Sequence, residues 1–150
     1  MPVYEVLGGL TRKHVECYAT GFPSTGSLTE TARACTRFGY WVFRFHGADP
    51  DEPSMGYHHC NMVDKTFAMC QHIREGVGEE GDWPIDFHTR LDLSDATRLC
   101  SLIEPLGPFL FEDPMHSENT EVYRAFRPMV RVPIAVGEHY GDRWDSNMLV

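Results

Sequence analysis

Apolar positions along the chain alternate between two rhythms. Short continuous runs recur at Tyr40 to Phe45, Trp83-Pro84-Ile85, Phe109-Leu110-Phe111 and Val132 to Gly137, and between them apolar residues return at spacings of three and four. Such a run reads as a strand covered on both faces and the three-four spacing as a helix with one buried stripe, so the pattern predicts βα units around a parallel sheet. A first strand is predicted over His14 to Ala19, where Val15, Cys17 and Ala19 alternate with polar neighbours. Ser27-Leu28-Thr29-Glu30 reads as a capping box, Leu28, Ala32 and Cys35 as the stripe of the helix it opens, and Gly39 as its stop. Val63, Phe67, Cys70, Ile73 and Val77 mark a second helix. Ser94 is expected to cap a third with Ala96, Leu99, Cys100 and Ile103 inward, and Ser117 a fourth with Val122, Phe126 and Met129 inward. Arg143-Trp144-Asp145 reads as the start of another helix. The loop from Gly47 to Pro53 stretches one unit, and long loops at strand ends are where substrate contacts concentrate.

Three of the apolar runs end in a carboxylate: Asp86, Glu112 and Glu138, each 26 residues after the last. Carboxylates at the C-terminal ends of parallel strands about 4.8 Å apart would repel one another unless a cation sat between them, and hard oxygen donors of this kind suit Mg²⁺. Parallel βα repeats admit either an open doubly wound sheet or part of a (β/α)8 barrel. No G-x-G-x-x-G loop follows the first strand, and ligands drawn from three strands favour the barrel. Eight units of this period need more than the 150 residues present, so the expectation is an α/β fold of about five βα units, a partial (β/α)8 barrel spanning residues 1–150.

Composition narrows the partners. Thirteen Lys and Arg stand against 22 Asp and Glu, a formal charge of −9, with no basic stripe to follow a phosphate backbone, so nucleic acid is not expected. No apolar run approaches the ~20 residues of a membrane helix, and Met1 to Glu5 lacks the basic start of a secretory leader, which points to the cytoplasm. Five cysteines without a C-x-x-C pair, three of them on predicted apolar helix faces, read as reduced thiols. His58-His59-Cys60 reads as a polar loop, since no fourth ligand for a closed zinc site lies near it.

Asp86-Phe87-His88-Thr89-Arg90, Phe111-Glu112-Asp113-Pro114 with Ser117-Glu118-Asn119, and Pro133 to Glu138 with Arg143-Trp144-Asp145 resemble the mandelate racemase/muconate lactonizing branch of the enolase superfamily. Within it the similarity is to acid-sugar dehydratases of the galactonate type. The resemblance implies the C-terminal barrel domain of that superfamily, without its N-terminal capping domain and late strands. It also implies a homo-oligomer at full length, and a Mg²⁺ held by Asp86, Glu112 and Glu138. His88 would be the general acid that helps the β-hydroxyl of a sugar acid leave, after α-proton removal gives an enediolate, and the product would be a 2-keto-3-deoxy acid. Strand alternation puts His88 on the same side as Asp86.

Two departures from the family pattern bear on specificity. The second strand carries Arg44-Phe45-His46 where lysine-base members carry Lys-x-Lys, which argues against those racemases and makes Arg44 and His46 candidate substrate contacts. His139 follows Glu138 where the galactonate type would carry Arg, and it too is a candidate substrate contact. A mannonate dehydratase-like enzyme or another epimerase or racemase of the superfamily is the alternative. An alternative of another kind is an incomplete piece that only binds metal or associates through open strand edges. Asp113, on the opposite side of the chain from Glu112, is expected to cap a helix or support a neighbouring carboxylate.

Overall fold

The computed structural model describes residues 1–23, 26–48, 58–147 and 149. Its frame is a sheet of five short parallel strands, β1 (Ala19–Thr20), β2 (Phe43–His46), β3 (Ile85–Asp86), β4 (Phe111–Glu112) and β5 (Ile134–Ala135), arranged in chain order. That uninterrupted order decides between the two parallel architectures. A doubly wound sheet reverses its strand order at a switch point, whereas this one steps steadily to the next neighbour as a barrel does. Among the described residues six α-helices accompany the strands: α1 (Val3–Val6), α2 (Leu28–Phe38), α3 (His59–Val77), α4 (Leu93–Ile103), α5 (Glu121–Phe126) and α6 (Arg143–Ser146). Helices α2 to α5 pack each against the next.

Local chemistry explains most boundaries. The Ser27 hydroxyl accepts from the Glu30 amide at 3.2 Å while the Glu30 carboxylate accepts from the Ser27 amide at 2.8 Å, closing the capping box of α2. Gly39 ends the helix in the left-handed region, at φ 113°, where its amide reaches back to the carbonyls of Cys35 and Thr36. Helices α2 and α3 approach so closely that a Cβ on Gly76 would lie 2.5 Å from the Thr29 carbonyl oxygen and 2.7 Å from the Ala32 Cβ. The core between helices and sheet is built on Trp83, Ile85, Phe111, Phe126, Ile73 and Leu99, all buried, each worth roughly 1.5–3 kcal/mol by burial. Cys35, Cys70 and Cys100 are buried free thiols within it, as the helix faces predict.

Five expectations are corrected. The segment 14–18 is not strand: only Ala19 and Thr20 find partners, at Phe43 and Arg44, and Val15 is 70% exposed. Helix α4 is capped by Asp92, whose Oδ1 accepts from the Asp95 amide at 2.8 Å, and Ser94 lies inside the first turn. Helix α5 starts after Thr120, with Asn119 Oδ1 accepting from the Glu121 amide at 3.2 Å, so Ser117 is no cap. Pro128 tightens the following turn, Arg127–Met129, into a 3₁₀ segment that rotates Met129 outward to 48% exposure. The loop expected at 47–53 lies outside the described residues from residue 49 onward. His59 and Cys60, read as loop, form the first turn of α3.

Candidate functional site

The C-terminal strand ends gather the acidic residues. Asp86 and Glu112 are Cα partners on β3 and β4, and His46 is the partner of Asp86 on β2, so three side chains share one level of the sheet. On β5 that level is held by Ala135, not by Glu138. The equal 26-residue spacing therefore does not mean equal register. The chain runs on through Val136 and turns at Gly137, where φ is 133°, before presenting Glu138 with its side chain half exposed. Asp113 fixes that turn: its Oδ1 accepts from the Gly137 amide at 3.2 Å, and its own amide donates to the Ala135 carbonyl at 2.9 Å.

Around Asp86, which is 1% exposed, basic groups crowd in. Arg44 Nη2 lies 2.5 Å from its Oδ2, His46 Nδ1 3.0 Å and His88 Nδ1 3.3 Å, and Oδ1 accepts from the His88 amide at 2.8 Å. Arg44 also spans to Glu112, with Nε 2.7 Å from Oε2 and Nη2 3.4 Å from Oε1. His88 Nδ1 sits 3.6 Å from Glu138 Oε2 as well, buried and without a well-directed hydrogen bond. Through Arg44 and His88 all three carboxylates are thus connected. The imidazoles of His46 and His88, and of His88 and His139, meet edge to face at 5.9 and 6.0 Å, forming a row of three along the mouth of the site.

The electrostatics follow from this crowding. Burial works against the charge on Arg44, but the hydrogen bond to Glu112 and the charges of Asp86 and Glu112 outweigh it and raise its pKa. Burial pushes the Asp113 carboxyl above its usual range; the Gly137 bond pulls the other way, and the charges of Asp86, Glu112 and Glu138 add to the rise. His88, Thr89 and Asp113 have φ of 55°, 59° and 38°, a left-handed backbone that non-glycine residues adopt only where surrounding bonds hold it. Here the Asp86 carboxylate holds the His88 amide, and the Asp113 carbonyl accepts from the Thr89 amide at 2.7 Å.

The donor chemistry suits a divalent cation. The ligand atoms of His46, Asp86 and His88 lie within 4.8 Å of one another, and the carboxylates of Glu112 and Glu138 join this group through Arg44 and His88. Of the residues named from the sequence, Asp86, His46 and His88 meet directly, Glu112 is joined to Asp86 through Arg44, and Glu138 and His139 lie against His88. Arg44 lies among them with its guanidinium on the carboxylates. What the sequence did not reveal is a second group, His59 with Asp92 and Asp95, in which His59 Nδ1 lies 2.5 Å from Asp95 Oδ2 and links the starts of α3 and α4. Its partners are 36 residues apart, and no local spacing signals the pairing.

Residues 27–150 match the family model for the Enolase C-terminal domain-like family. A D-galactonate dehydratase of Pectobacterium atrosepticum is 31% identical over 147 residues, covering 97% of this chain and 37% of that protein. A D-gluconate dehydratase of Thermoproteus tenax is 30% identical over 141 residues, covering 91% of this chain and 28% of that protein. The crystal structure of a mandelate racemase/muconate lactonizing enzyme from a Sulfitobacter species superposes with a TM-score of 0.86 at 26% identity, over 99% of this chain and 40% of the other. An enolase superfamily member from Salmonella Typhimurium shares the fold with a TM-score of 0.84 at 22% identity, over 97% of this chain and 42% of the other.

Proposed function

Because this chain belongs to the Enolase C-terminal domain-like family, we propose that it carries the metal site and one proton-transfer residue of a sugar-acid dehydratase, a hydro-lyase. The observation that supports the reading is the linkage of buried Asp86 to Glu112 through Arg44 and to Glu138 through His88 at the strand ends. The substrate class is an aldonate of the galactonate or gluconate kind, in keeping with the relatives, and the product a 2-keto-3-deoxy acid.

Asp86, Glu112 and Glu138 would hold Mg²⁺, which when bound supplies positive charge beside the substrate carboxylate. His88 is placed to move a proton. Its Nδ1 is buried against Asp86 and Glu138 while the side chain is 41% exposed, so Nε2 is the nitrogen left to face a leaving β-hydroxyl. The neighbouring carboxylates of Asp86 and Glu138 orient the ring. His46 and His139 flank it at the mouth, where they can donate to substrate hydroxyls. No helix among the described residues is long and apolar enough to cross a membrane, and the reading places the enzyme in the cytoplasm acting on a small molecule.

The test is Asp86→Asn in the full-length protein, with the fold checked by circular dichroism. Magnesium-dependent formation of 2-keto acid across a panel of aldonic acids is expected to fall by about a thousandfold or more. Undiminished turnover would reject the site, and turnover on mannonate alone would move the enzyme to the mannonate type.

A further inference from the structure

Asp86 and Glu112 stand at the same level of adjacent parallel strands, and Asp86 is almost wholly removed from water. Two such carboxylates without compensation would repel each other and lose hydration at once. Neither of the imidazoles that touch Asp86 answers this, since both are well exposed and carry charge only when protonated. Arg44 differs in each respect. It is 7% exposed, its guanidinium is charged throughout the accessible pH range, and its planar fork reaches both carboxylates together.

Its position on β2 explains how. The level of Asp86 belongs to His46, and Arg44 lies two residues earlier on the same side of the strand, so the guanidinium rises to the carboxylates from the interior. The outer side, where His46 and His88 are exposed, stays open to an incoming ion.

We propose that Arg44 is the resident counter-cation of this site, a positioning residue that holds Asp86 and Glu112 together when no metal is present and shares that task with a divalent cation once one binds. The second half rests on the metal site proposed above; the first does not. It follows that the site is preformed without metal, and that a chain lacking this guanidinium depends on metal for its stability.

The test compares thermal unfolding of the full-length wild type, Arg44→Met, Asp86→Asn and the double variant, in EDTA and in millimolar MgCl₂. In EDTA, Arg44→Met is expected to melt about 10 °C below wild type, as loss of one partner of a buried ion pair does. The double variant is expected to lose much less than the two single losses together, because Asp86→Asn removes the repulsion that Arg44→Met exposes. MgCl₂ should raise the melting temperature of Arg44→Met by several degrees more than that of wild type. Arg44→Lys, which keeps the charge, should restore most of the stability in EDTA.

Additive losses overturn the proposal whatever magnesium does. Coupled losses with no magnesium-dependent gain in any form uphold the counter-cation, overturn the sharing with metal, and count against the metal site itself. Should Arg44→Met not fold, recovery of folded protein on adding Asp86→Asn supports the proposal, and failure to recover it overturns it.

Discussion

The Asp113 carboxylate accepts a hydrogen bond from the Gly137 amide at 3.2 Å, and by that bond the end of β4 governs the turn that presents Glu138. The contact is 24 residues long in sequence and almost fully buried at the Asp113 end. It gives the adjacent pair Glu112-Asp113 divided duties, one carboxylate facing Arg44 and the other tethering the neighbouring strand's exit.

Replacing Asp113 by Ala should therefore loosen Glu138 without touching Asp86 or Glu112. Magnesium affinity, measured by isothermal titration calorimetry, is expected to fall by about 10- to 100-fold, the usual cost of removing a residue that orients a ligand. Asp113→Asn, which retains an acceptor oxygen for the Gly137 amide, should lose less. Equal affinity in wild type and Asp113→Ala would show that Glu138 does not depend on this tether.

Gly76 tests the packing of α2 on α3. An alanine there places its Cβ against the Thr29 carbonyl and the Ala32 Cβ, and neither backbone nor a short side chain can swing away. Despite the better helix propensity of alanine, Gly76→Ala is expected to cost about 1–3 kcal/mol in urea unfolding. A neutral or stabilising result would mean that the two helices can separate freely.

The buried thiols set an alkaline limit. Burial pushes Cys70 and Cys100 far above the ordinary thiol value of 9.0, so above that pH the unfolded chain releases protons that the folded chain keeps. The native state then binds more protons than the unfolded state, and stability falls as pH rises, by about 1.4 kcal/mol per pH unit for each thiol. Urea unfolding at pH 8.5 and 10 should show this decline, and a Cys70→Ala/Cys100→Ala variant should flatten it. Cys17 and Cys60, both exposed, should be alkylated in the native protein well before the buried three.

Much of the site could be read from the chain because its residues sit at the ends of recognisable apolar runs. Asp86 and Glu112 terminate their strands as the apolar runs indicate; His88 reaches Asp86 too, although by a left-handed turn held by the Asp86 carboxylate and not by continued strand alternation. What could not be read depends on register and on distance along the chain. Glu138 shares the 26-residue spacing but not the level, because the ladder pairs Glu112 with Ala135 and a glycine turn makes up the difference. Arg44 presents either face of a four-residue strand on paper; only the fold brings it to a carboxylate 68 residues away. Asp92 and Ser94 are both good helix caps two residues apart, and the extended backbone at Asp92 decides between them.

The three carboxylates are not built alike. Two stand on strands locked by the backbone ladder, while the third is reached across a glycine bend that the Asp113 carboxylate braces. Such a grip has a fixed jaw and a sprung one. In the metal site proposed above, ions of unequal radius would be accommodated by travel of Glu138 alone, so exchanging magnesium for manganese should leave the β3 and β4 edges of the mouth undisturbed and register only in the bend before Glu138.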